Sequence, residues 1–151
     1  MSIFLAMSGA EVTACDKNSS VLETAKKNAL FWRANVNFIS LDLKTPNLAR
    51  DSFDLVFCQG VLEHFSDAEI LEISSRMLEL APVFVFSVPG IYYRHKDFGD
   101  ERLLPEKHWR RLLEPAGVVS IRPYYSVRTK KNLLIKRPLM ILGSVERKNR
   151  I

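Results

Sequence analysis

Three apolar runs in this chain end on a side chain able to do chemistry. Val12 to Cys15 runs into Asp16, the alternating stretch Val36 to Leu41 runs into Asp42, and Phe53 to Cys58 runs into Gln59, with Glu63 and His64 close behind. A carboxylate at a strand end accepts hydrogen bonds from ligand hydroxyl or amino groups. Open parallel sheets bind their ligands beyond the carboxyl ends of the strands. Plainer uses stand beside these. Asp16 also reads as an acid complementing a helix N-terminus, and Asp42 as a turn residue ahead of Lys44 and Pro46. Glu63 and His64 also read as a helix-start acid and a packed imidazole. Tyr92, Tyr93 and His95 fall in a polar, aromatic loop from Pro89 to Leu104.

Other chemistries are excluded by composition and spacing. The two cysteines, Cys15 and Cys58, each close an apolar run and form no Cys-x-x-Cys pair, so zinc-knuckle and redox motifs are absent. This usage points to a reducing, cytoplasmic setting. With 47% hydrophobic and 26% charged residues over 151 positions, the chain suits one globular domain that buries its own core. No apolar run approaches the roughly 20 residues that span a bilayer, and the apolar start lacks a basic leader region. The net charge of +5 is concentrated: Arg122, Arg128, Lys130, Lys131, Lys136 and Arg137 occur without an acid from Val118 to Val145. Such a stretch is ordinarily a solvated loop face, and a phosphate-contacting patch ranks second.

The elements that must position these residues alternate. Ile3 to Met7 reads as a helix closed by Gly9, followed by a strand at Val12 to Cys15. A helix capped by Asn18 or Ser19 follows, with Val21, Leu22, Ala25, Ala29 and Leu30 on one face. Val36 to Leu41 and Phe53 to Cys58 are strands, the second expected to be buried on both faces. Ser66 to Glu69 forms a capping box that opens a helix with Ile70, Leu71, Met77 and Leu78 inward. A strand at Pro82 to Val88 precedes the loop, and Pro105 starts a helix that ends at Gly117. Two strands close the chain, Val118 to Val127 and Leu139 to Arg147, joined by the basic connection. Alternation means parallel strands with crossover helices, and the closing pair reads as an antiparallel edge hairpin.

Four stretches, GAEVTACDKNSSVLETAKKNA, VNFISLDLKTP, FDLVFCQGVLEHFSD and HWRRLLEPAGV, together resemble the class I S-adenosylmethionine-dependent methyltransferases, in the small-molecule branch called type 11. The resemblance covers about residues 3 to 120. It implies an α/β fold, a Rossmann-like three-layer sandwich with a mostly parallel sheet of order 3-2-1-4-5-7-6 and an antiparallel C-terminal hairpin, as a single domain over residues 1–151. By resemblance, Asp16 binds the ribose hydroxyls of S-adenosylmethionine and Asp42 the adenine amino group. Leu43 packs on the adenine face, and Gln59 contacts the methionyl end. His64 is the expected base or acceptor-orienting group, and Tyr92, Tyr93 and His95 face a small-molecule acceptor. Some quinone O-methyltransferases carry a Glu-x-x-Glu-His metal set in this segment. Here Gly60 replaces the first Glu, so no metal is expected.

One departure matters. The family opens with a strand, an acid and a Gly-x-Gly-x-Gly loop, and none of the six glycines here can form that loop. Met1 to Ser8 matches the helix after it, so the chain reads as lacking the first strand and cofactor loop. Impaired cofactor binding is the expectation, with Val12–Cys15 and Asp54–Cys58 sharing no ladder. Three rivals follow. A non-catalytic fragment or assembly partner is favoured by the missing loop. A nicotinamide-dependent oxidoreductase shares Asp16 but explains neither QGVLEHF nor the hairpin. An RNA-binding methyltransferase is suggested only by the basic 122–137 segment, and this chain lacks the Asn-Pro-Pro-Tyr-type motif of base methylases after the Phe53 to Cys58 strand, so nucleic acid ranks below a small molecule.

Overall fold

Helix α1 (Ser2–Met7) stops at Ser8 because Gly9 takes φ +93°, and the amides of Gly9 and Ala10 turn back onto the carbonyls of Ala6 and Leu5. The computed structural model describes residues 1–94, 99–129 and 132–148, of which 126–129 and 132–138 are described by their backbone. The chain divides into two units, residues 1–47 and 48–151.

In the first unit α1 precedes β1 (Val12–Asp16), α2 (Ser19–Phe31) and β2 (Val36–Ser40). Asn18 caps α2, its side chain accepting from the Ser20 amide at 2.9 Å. Of the apolar face expected on α2, Leu22 and Ala29 are buried, whereas Val21 and Leu30 are 48% and 80% exposed. Each lies one residue, about 100° around the helix, from the inward stripe, so the stripe is narrower than expected. β1 and β2 pair in parallel, from Val12 opposite Val36 to Asp16 opposite Ser40.

The second unit holds β3 (Leu55–Gln59), a 3-10 turn (Leu62–His64), α3 (Asp67–Leu80), β4 (Val83–Pro89), α4 (Glu106–Leu113), β5 (Val118–Thr129) and β6 (Asn132–Glu146). Its sheet runs β3-β4-β6-β5, with β3 parallel to β4 and β6 antiparallel to both neighbours. The pairings in the two units correspond to positions 3-2 and 4-5-7-6 of the order implied by the sequence. β1 pairs with β2 and β3 with β4, so Val12–Cys15 and Asp54–Cys58 share no ladder, as expected.

The core of this unit joins Ile70, Ile73 and Met77 of α3 to Phe84, Phe86 and Val88 of β4 and to Trp109 and Leu113 of α4. The Ser66 box opens α3: Glu69 accepts from the Ser66 amide at 2.9 Å, and its own amide donates to Ser66 Oγ. Gly143 of β6 is fixed by packing, since a Cβ there would fall 2.1 Å from the Phe86 ring.

Four expectations need correction. Leu55 is 48% exposed, because β3 is the edge strand of its sheet and not a strand covered on both faces. Leu71 of α3 is only half-buried, and Ile73 takes the inward place. Helix α4 ends at Leu113; Gly117 instead lets the chain pass β6, where a Cβ would lie 2.2 Å from the Glu146 carbonyl oxygen. The hairpin strands run further than expected and pair Arg128 with Lys136 and Val127 with Arg137, so much of the basic stretch is ladder and not loop. No helix among the described residues is long and apolar enough to cross a membrane.

Candidate active site

Within the first unit, parallel pairing brings two carboxylate-bearing strand ends to one edge. The Leu41 amide donates to the Asp16 carbonyl at 3.1 Å, which continues the register past Ser40 towards Asp42. Asp16 Oδ1 accepts from the Asn18 amide at 2.8 Å, and Asp42 Oδ1 accepts from the Lys44 amide at 2.9 Å. Each acid thus braces its own turn with one oxygen, the plainer role the sequence offered. Leu43, next to Asp42, is half-buried.

The second unit builds a pocket behind the end of β3. Gln59 closes that strand, and Gly60, at φ +65°, donates its amide to the Ser87 carbonyl at 2.9 Å. The left-handed glycine turns the chain into the 3-10 turn carrying Leu62, Glu63 and His64. Leu62 is buried and anchors the turn from beneath. Across it lies the loop before α4, fastened by Arg102. The Arg102 amide donates to the Glu63 carbonyl at 2.9 Å, and its guanidinium donates to the Phe65 carbonyl and to Asp67 Oδ1, both at 2.6 Å.

That fastening delivers two acids. His64 Nδ1 lies 2.7 Å from Asp100 Oδ1. A carboxylate only accepts, so Nδ1–H donates. Glu101 is buried, with Oε2 accepting from the Gly99 amide at 3.0 Å. Glu63 is 3% exposed, and its Oε2 is buried with no hydrogen-bond partner among the described residues. Gln59, Gly60, Glu63, His64, Pro89, Tyr93, Glu101 and Met140 line a cavity of about 290 Å³.

The electrostatics follow from burial and pairing. Loss of solvent pushes the Glu63 carboxyl above the usual range; its own backbone amide and His64 pull it back, and Glu101 and Asp100 add to the rise. Asp67 is held below the usual range, first by the Arg102 hydrogen bond, with burial opposing it and His108 adding to the lowering. His64, Asp100 and Glu101 bring a ring nitrogen and two carboxylate oxygens within 4.8 Å of one another, a grouping with the ligand types of a small cation.

Of the residues singled out from sequence, Gln59, His64 and Tyr93 share the cavity wall. Asp16, Asp42 and Leu43 belong to the other unit. Tyr92 is 40% exposed and does not line the cavity, and His95 lies outside the described residues. Asp100, Glu101 and Met140 were missed. The available signal was the Gly99-Asp100-Glu101-Arg102 run, an acidic pair beside an arginine within the loop assigned to the acceptor side.

A family model described as a methyltransferase domain matches residues 1–81. A ubiquinone biosynthesis O-methyltransferase of Coxiella burnetii is 32% identical over 65 residues, 43% of this chain and 28% of that protein. Phosphoethanolamine N-methyltransferase 3 of Arabidopsis thaliana is 27% identical over 110 residues, 70% of this chain and 22% of that protein. The chain thus matches under a third of the length of either relative. Among solved structures, magnesium protoporphyrin IX methyltransferase of Synechocystis PCC 6803 with bound SAH superimposes with a TM-score of 0.70 at 22% identity, over 96% of this chain and 68% of that one. An S-adenosylmethionine-dependent methyltransferase of Clostridium acetobutylicum gives 0.69 at 14% identity, over 96% and 78%. At these identities the likeness is one of fold, and it agrees with the Rossmann-like architecture read from the sequence.

Proposed function

This chain belongs to the methyltransferase-domain family, and on that premise we propose that it serves S-adenosylmethionine-dependent methyl transfer to a small-molecule acceptor. The observation that carries the reading is the in-register β1–β2 pair, whose carboxyl ends both lead into acids. The donors of the cofactor, ribose hydroxyls and an adenine amino group, call for acceptors of this kind. Among the described residues Asp16 and Asp42 each commit Oδ1 alone to a local turn, which keeps Oδ2 for a ligand. The cofactor supplies an electrophilic methyl group on a sulfonium.

The remaining work falls to the chain's own residues. Asp16 holds the ribose diol, Asp42 the adenine amino group, and Leu43 covers the adenine face. Gln59 takes the methionyl end. His64, oriented by Asp100, accepts a proton from the acceptor where the nucleophile carries one. Tyr93 shapes the acceptor side, with Tyr92 and His95 in the same loop. The family match runs from residue 1 to 81, across the boundary at 47, which supports both units belonging to one methyltransferase domain.

The test is Asp16→Ala, followed by NMR titration with S-adenosylhomocysteine, a method that reaches millimolar affinities. The loss of a charge-assisted hydrogen bond weakens binding by about 1.5–3 kcal/mol, while the loss of the exposed Asn18 turn contact lowers the melting temperature only slightly. Unchanged affinity and a lower melting temperature would leave Asp16 a turn residue only.

A further inference from the structure

We propose that the cavity walled by Glu63, His64, Glu101 and Tyr93 selects an acceptor bearing a protonated nitrogen, which makes the methyl acceptor an amine. The step from binding site to acceptor site rests on the methyl-transfer reading above.

Charge is the first argument. The ionisable groups in the wall, apart from Tyr93, are two glutamates and one imidazole, with Asp100 paired to that imidazole. No lysine or arginine lines the cavity among the described residues. Two arginines adjoin lining residues in sequence: Arg102 spends its guanidinium on the Phe65 carbonyl and Asp67, and Arg94, next to Tyr93, is exposed and does not line the cavity. A carboxylate- or phosphate-bearing acceptor meets like charge here and is rejected.

Hydrogen bonding is the second argument. Glu63 is 3% exposed and its Oε2 has no hydrogen-bond partner among the described residues, so this wall of the cavity carries an incompletely satisfied carboxylate, a state that costs free energy. The turn carrying Glu63 is pinned by the Arg102 amide, which donates to the Glu63 backbone carbonyl, so the backbone that presents this side chain is fixed. An ammonium brings up to three N–H donors into a wall rich in acceptors, whereas a hydroxyl brings one. Pro89, Met140 and Tyr93 give the rest of the wall an apolar and aromatic character suited to the hydrocarbon part of such a ligand and to a cation beside a ring. An ammonium must lose one proton before its lone pair is nucleophilic. The N–H bond breaks and a new one forms on His64, which becomes imidazolium.

The test compares three probes of one shape, benzylammonium, benzyl alcohol and benzoate, by NMR at the amides of Gly60 and Gly99 with no cofactor present. Benzylammonium is expected to saturate these shifts at least tenfold more tightly than benzyl alcohol, with benzoate silent. Glu63→Gln and Glu101→Gln are each expected to weaken benzylammonium at least fivefold and leave benzyl alcohol unchanged. The second variant keeps the test decisive if the first does not fold. Equal binding of the alcohol, binding of benzoate, or indifference of a folded variant overturns the proposal. So does Mg²⁺ that saturates the same amides below millimolar concentration and displaces benzylammonium, since the cavity is then a metal site. Methyl transfer is tested apart from this, by the shifts that S-adenosylhomocysteine produces at Asp16 and Leu43.

Discussion

His64 and Asp100 stand 36 positions apart in sequence, yet Nδ1 of one lies 2.7 Å from Oδ1 of the other. The carboxylate can only accept, so it fixes the neutral imidazole with its proton on Nδ1 and its basic nitrogen at Nε2. In Asp100→Asn the amide can present its carbonyl or its NH₂ to the ring, and this selection is lost. Ring ¹⁵N shifts of His64 are expected to show a single tautomer in the parent and a mixture in the variant. A single tautomer in both would show that Asp100 does not position the ring.

Arg102 joins the acceptor-side loop to the 3-10 turn and to the start of α3. Removal of its guanidinium takes one donor from the Phe65 carbonyl and one from Asp67, which keeps His108, and Arg102→Ala is expected to cost about 1–2 kcal/mol in urea unfolding. Lysine cannot span both acceptors, so Arg102→Lys recovers little. Because Arg102 lowers the Asp67 pKa, the pair stabilises the fold above the ordinary carboxylate range and is lost as pH falls through the lowered value. Asp67 is 45% exposed, so this share is under about 1 kcal/mol. The penalty of the variant therefore shrinks slightly in acid. Faster amide exchange at Gly99 to Arg102 would report the loosened loop.

Glu63 titrates in the opposite sense. Its folded-state pKa is raised, chiefly by burial, so the folded protein keeps the proton longer than the unfolded chain. Well below the ordinary value both states are protonated and Glu63 is neutral in its effect. As pH climbs through the ordinary value towards the raised one, its burial subtracts stability. Glu63→Gln cannot ionise, so its urea midpoint is expected to exceed the parent's at pH 8 and to converge with it below about pH 4. A difference constant with pH would rule out the carboxylate's charge as the cause.

Gly143 carries the last expectation. Its absent side chain admits the Phe86 ring, which also lies 5.4 Å from the ring of Trp109. Gly143→Ala is expected to destabilise by about 1–3 kcal/mol through overpacking. Adding Phe86→Leu should return part of the loss, whereas two penalties that simply add would place the strain elsewhere.

Local chemistry made much of the fold legible. The Asn18 cap, the Ser66–Glu69 box, the Gly9 terminus and the alternation of strand and helix depend on residues within about four positions of one another, and the structure returns them in the expected order. That Gln59 and His64 would meet at one strand end was legible too, because Gln59 closes β3 and His64 sits in the turn just after it. What periodicity does not carry is which surfaces meet. Leu55 and Leu30 are apolar in sequence yet exposed, since exposure is set by a strand's place at a sheet edge or a residue's angle around its helix. The burial of Glu63 and the arrival of Asp100 and Glu101 beside it were likewise decided by tertiary structure, through a loop tethered by Arg102. A carboxylate's solvation, and hence its charge and its appetite for a donor, depends on neighbours brought from distant sequence; the residue's own identity supplies only the group that responds.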